Sequence, residues 1–89
     1  NFPLLKVLNR NFKNTYFEVI LVSINDLLVK KYLENKISYI SLHIFMLKLL
    51  KKPILSKFFV LKPKNINDIK KMVNKTNQYV EKFLKYNVK

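Results

Sequence analysis

The chain has 89 residues, a net charge of +13 at pH 7, and neither cysteine nor glycine. This length allows one small domain or one part of a larger one, and the missing cysteine excludes disulfides and Cys-ligated zinc within these residues. The missing glycine excludes a Gly-rich phosphate loop and the Gly-x-Ser-x-Gly turn of serine hydrolases.

The first part of the chain is predicted to form two helices. Residues 3–11 begin with a proline, which suits a first helical turn, and an apolar stripe follows, made of Leu4, Leu5, Leu8 and Phe12. The second helix is predicted over residues 17–34, with Ile24, Leu27, Leu28 and Tyr32 on one face. Residues 19–22 also fit a strand, because a short apolar run has no diagnostic period.

The middle of the chain is predicted to contain a third helix. Asn35 should end the second helix in the left-handed conformation, and residues 37–40 read as an extended connector. Ser41 is a candidate cap for a helix over residues 42–52, which Pro53 ends. Residues 37–50 form the longest nearly apolar run, and about 14 residues are too few for a membrane-spanning helix, which needs about 20.

The last part of the chain carries the clearest helical pattern. Residues 54–64 are predicted to be a buried connection, and Asn65 with Asp68 has the spacing of a capping box. Apolar residues then recur at helical spacing almost to the C-terminus, with lysines opposite them. The predicted fold is therefore all-α, a small four-helix arrangement in a single domain of residues 1–89. Residues 1–22 are a candidate joining segment, and residues 23–89 the bundle.

The residue inventory itself points to no catalytic site. His43 lies among apolar neighbours without a carboxylate or second ligand at i±3 or i±4, so a histidine at the edge of the core is favoured over a base or metal ligand. Asn25 and Asp26 form a polar pair within an apolar stretch, which we interpret as a structural motif at the top of a helix. We predict no catalytic, cofactor-binding or metal-binding residue here.

The order of these features resembles a known family. The chain reads Phe2-Pro3-Leu4-Leu5, then Asn14-Thr15-Tyr16, then ILVSINDLLV over residues 20–29 and YLENKISY over residues 32–39. This resembles the C-terminal region of 1-deoxy-D-xylulose 5-phosphate reductoisomerases, which carry F-P-x-L followed by G-G-T-x-P-x-V-L-N-A-A-N-E-x-A-V-x-x-F-L-x-x-K-I-x-F. This chain departs from that motif at the glycines, at Val22 and at Asp26.

The resemblance implies a C-terminal helical domain of a larger α/β enzyme. Such an enzyme uses NADPH and a divalent metal, Mg or Mn, to make 2-C-methyl-D-erythritol 4-phosphate for isoprenoids, with both groups bound upstream of the helical domain. The implied partners are the upstream catalytic domain and, in the full-length enzyme, a second subunit. Asn25 and Asp26 match a family motif and are assigned the turn and helix that join the two domains.

The chain begins with Asn1 and not with an initiator methionine, so we expect a fragment of a longer protein. No charged segment precedes an apolar run, so we expect a protein that is not secreted. Its expected location is a bacterial cytoplasm or a plastid-type organelle. The charge of +13 leaves a second interpretation open, a stand-alone basic helical protein that binds nucleic acid or the ribosome. A peripheral membrane binder, with the fourth helix on anionic lipid, is a third. Coding bias towards lysine explains the same charge without any anionic partner.

Overall fold

A computed structural model describes residues 15–87, and the helix predicted over residues 3–11 lies outside that range. The described residues form four helices without a strand: α1 (Tyr16–Leu33), α2 (Tyr39–Leu50), the single-turn α3 (Pro53–Ser56) and α4 (Ile66–Asn87). The predicted all-α class is therefore confirmed.

Helix α1 begins and ends within one residue of its predicted bounds. The Thr15 hydroxyl caps it by accepting a hydrogen bond from the Phe17 N–H at 3.3 Å. Residues 19–22 are helical, so the strand alternative is wrong. Ile20 and Leu21 are buried and Val19 packs against the core, whereas Val22 is exposed, and this packing overrides the strand preference of β-branched residues. The helix also continues without a break from residue 22 to residue 23, where the predicted joining segment was to meet the bundle.

The end of α1 confirms the prediction for Asn35, whose φ is 61°. The Lys36 N–H donates to the Lys31 carbonyl at 2.9 Å, and the Asn35 N–H donates to the Tyr32 carbonyl at 3.0 Å. These two bonds form a Schellman motif, in which one left-handed residue satisfies carbonyls that the helix end leaves open. Asparagine tolerates this conformation better than residues other than glycine do.

Replacing Asn35 with valine should lower the free energy of unfolding by about 1–2 kcal/mol, because a β-branched side chain is poorly tolerated at positive φ. Urea denaturation followed by circular dichroism measures the change. Asn35→Gly is the matched control. It should be more stable than Asn35→Val by about 1–2 kcal/mol, since glycine adopts this conformation without a steric cost. Equal stability of the two variants would contradict the prediction.

Helix α2 starts earlier than the sequence predicts, and Ser38 rather than Ser41 caps it. The Ser38 hydroxyl oxygen accepts a hydrogen bond from the Ser41 N–H at 3.0 Å, and the two hydroxyls lie 2.9 Å apart. Pro53 does not end α2 directly, because that helix stops at Leu50 and the proline occupies the first turn of α3. Ser41, the predicted cap, is instead the third residue of the helix.

Residues 54–64 were predicted to be a buried connection, but residues 54–56 belong to α3 and Leu55 is the one buried residue of the range. Leu55 is fully buried, and the Phe59 ring packs edge-on against Phe17 with centroids 4.7 Å apart. Val60 is 72% exposed and Leu61 is 49% exposed. The backbone still ties this end to α1, because the Leu61 carbonyl accepts a hydrogen bond from the first N–H of that helix.

The start of α4 confirms the predicted capping pair, with one difference. The Asn65 side chain accepts a hydrogen bond from the Asp68 N–H at 3.0 Å. The return bond to the Asp68 carboxylate comes from the Lys64 N–H at 2.9 Å, one residue before the cap. Aspartate is one methylene shorter than the glutamate of the usual capping box, and here its carboxylate reaches the preceding residue instead.

Replacing Asn65 with alanine should cost about 1 kcal/mol of stability, because the first turn of α4 then loses its side-chain acceptor. The measurement is thermal or urea unfolding of the purified chain. Asn67→Ala, also exposed and in the first helical turn, is the matched control and should change stability by less than about 0.5 kcal/mol. A larger effect at Asn67 than at Asn65 would contradict this assignment of the cap.

The core lies where α1 packs along α4 on one side and α2 on the other. Helix α1 buries residues at spacings of three and four, which is the pattern expected of one helix face. The side chains with the least exposure, each below 2%, are Phe17, Ile20, Ile24, Leu28, Met46, Leu49, Leu55, Thr76 and Val80. Thr76 is the one polar residue among them.

Candidate docking face on helix α1

The predicted polar pair lies in the middle of α1 rather than at its top. Asn25 and Asp26 follow nine helical residues, and both are exposed. They therefore do not cap the helix. Their side chains point away from the core, since the buried residues of α1 occupy its other face. A polar pair in this position is available for contact with another surface.

Two shallow hollows flank the pair, and Asp26 lines both. One, of about 410 Å³, is formed along the last turns of α1 and includes Asn25, Val29 and Leu33. The other, of about 400 Å³, lies between α1 and α4 and includes Val22, Ile69 and Val73. We call Glu18, Val22, Asn25, Asp26, Val29, Leu33 and Glu34 the outward face of α1.

The outward face combines exposed apolar side chains with carboxylates. Leu33 is 71% exposed and Val22 is 56% exposed. Three of the five carboxylates of the chain, in Glu18, Asp26 and Glu34, border the two hollows, but the exposed Lys30 lines one of them too, and Glu34 forms an ion pair with Lys36 at 3.5 Å. Exposed apolar groups bordered by charged residues are typical of a surface that packs on another protein surface. The complementary surface would be apolar with charged residues at its margin.

His43 lies on α2, half-buried, with its ring 4.6 Å from the Tyr39 ring in an edge-to-face contact. This is the predicted position at the edge of the core. Within residues 15–87, no group of three histidine, cysteine, aspartate or glutamate residues is placed to hold a metal ion. Partial burial and the Asp68 carboxylate raise the pKa of the Tyr16 phenol.

The basic surface includes a cluster that the sequence did not reveal. The ammonium groups of Lys75 and Lys57 lie 4.5 and 5.2 Å from the centre of the Phe58 ring. On α4, exposed lysines stand opposite the buried stripe, as predicted: Lys70, Lys71, Lys75, Lys82 and Lys85. Such cation–π contacts hold lysines in place, but each contributes only about 0.5–1 kcal/mol at exposed sites.

A third hollow, of about 270 Å³, lies between the end of α1 and the end of α4. Lys31 forms an ion pair there with Glu81 at 3.2 Å, and its side chain is 17% exposed. Ile37 and Leu84 form the apolar part of the hollow. The pair links the two long helices, although half of the Glu81 side chain faces solvent, so we expect a stabilisation of less than about 1 kcal/mol.

Among the described residues, none of the helices combines the length and apolar character that crossing a bilayer requires.

The chain is similar to the 1-deoxy-D-xylulose 5-phosphate reductoisomerase of Pelagibacter ubique (strain HTCC1062). The two are 39% identical over 80 residues, which cover 89% of this chain and 20% of that enzyme. The chain thus spans about a fifth of the relative's length. No protein-family model and no solved structure matches the chain. The resemblance predicted from the sequence is confirmed.

Proposed function

We propose that this chain is the C-terminal helical domain of a 1-deoxy-D-xylulose 5-phosphate reductoisomerase. The observation that carries the proposal is the 39% identity, which extends over 89% of this chain and only 20% of the relative. A match of that shape is expected when a short chain corresponds to one domain of a longer enzyme. The all-α fold of the described residues agrees with a C-terminal helical domain.

In this proposal the reaction takes place upstream. NADPH and a divalent metal bind to the upstream catalytic domain, which converts 1-deoxy-D-xylulose 5-phosphate to 2-C-methyl-D-erythritol 4-phosphate. The helical domain contributes no catalytic residue. The full-length enzyme works as a homodimer in a bacterial cytoplasm or a plastid-type organelle.

The outward face of α1 is the proposed joint with the catalytic domain. Asn25 and Asp26 are exposed in the middle of a continuous helix, so their backbone positions are fixed and their side chains extend outside the core. An amide and a carboxylate there supply a donor and acceptors for the backbone or basic side chains of a neighbouring surface. Val22 and Leu33 supply apolar area beside them. The pair therefore sets the orientation of the two domains.

The first test is the reading frame upstream of Asn1 and the activity of its full-length product. We expect a dinucleotide-binding segment and clustered carboxylates upstream, and NADPH oxidation that depends on 1-deoxy-D-xylulose 5-phosphate. A product without that activity, or a gene without a catalytic domain upstream, would refute the proposal.

The second test addresses the joint. Asn25→Lys in the full-length enzyme should lower activity while the helical domain stays folded, because a long cation replaces a short amide at the interface. Asn74→Lys is the matched control, since this asparagine is exposed on α4 and lines none of the three hollows described above. Equal activity of the two variants would refute the joint on α1 but not the proposed identity of the domain.

A second candidate function is a basic helical protein that binds nucleic acid. The lysine-rich side of α4 and the lysines at Phe58 favour it. Binding would weaken steeply as salt rises, because neutralised phosphates release counterions. Fluorescence anisotropy with labelled RNA and DNA at two salt concentrations tests it, and no binding at low salt would exclude it.

A further inference from the structure

We draw no further inference here: the strongest candidate, the exposed apolar side of α2 formed by Ile40, Ile44 and Leu47, carries none because nothing in the structure of residues 15–87 shows what covers it.

Discussion

Replacing Leu28 with alanine is expected to lower the free energy of unfolding by about 2–5 kcal/mol. Leu28 is fully buried on the face of α1 that lies against the core. Removing its branched end forfeits the transfer of apolar surface from water and leaves a cavity that the neighbouring helices close only in part. Since single domains are stable by about 5–15 kcal/mol, a small one is expected to lose much of its folded population at 37 °C.

Urea denaturation of the chain, followed by circular dichroism, measures this loss. Leu33→Ala is the matched control, because it makes the same chemical change on the same helix at a residue that is 71% exposed. It should alter stability by less than about 0.5 kcal/mol. Similar effects of the two substitutions would contradict the assignment of Leu28 to the core.

Replacing Thr76 with valine is expected to stabilise the chain by about 1 kcal/mol or more. Thr76 is completely buried on α4, and its hydroxyl has no hydrogen-bond partner within residues 15–87. Burying an unpaired hydroxyl forfeits its hydrogen bonds with water without a replacement. Valine keeps nearly the same shape, so the gain is obtained without a cavity.

Thr76→Ser provides the comparison for this prediction. Serine retains the hydroxyl but loses the methyl group, so it should be less stable than the parent by about 1 kcal/mol. Unfolding midpoints of the parent and the two variants therefore should rank valine first and serine last. A valine variant less stable than the parent would mean that the Thr76 hydroxyl makes a hydrogen bond that stabilises the fold, and would contradict the prediction.

The sequence predicted the C-terminal end of α1 and the start of α4 well, because both depend on local chemistry. Asn35 is left-handed because the short asparagine side chain tolerates that conformation, and Asn65 caps α4 because its amide oxygen reaches the first turn. Both interactions span only a few residues, so the residue types and their spacing are enough to predict them.

Other features depend on tertiary packing and were predicted wrongly or not at all. The cap of α2 is Ser38 and not the predicted Ser41, because the helix begins three residues earlier than its apolar pattern suggested. The apolar side chains of Val60 and Leu61 suggested that both residues are buried, but both are exposed. The exposure of Ile40, Ile44 and Leu47 on α2 has no sequence signal, because a mostly apolar run shows no clear period that separates a covered side from an open one.

The position of Asn25 and Asp26 illustrates the same limit at the candidate site. The pair was interpreted as a motif at the top of a helix, although the helix predicted over residues 17–34 already contained it. In the structure the pair lies exposed in the middle of α1. Its role at a domain joint stays a prediction.

The continuity of α1 has a mechanical consequence. Eighteen residues without a break make a rod of about 27 Å, at 1.5 Å per residue. The same rod carries the core on one side and the outward face on the other, so a force applied at Asn25 or Asp26 displaces the core with it. The outward face and the buried face of α1 are therefore expected to move together.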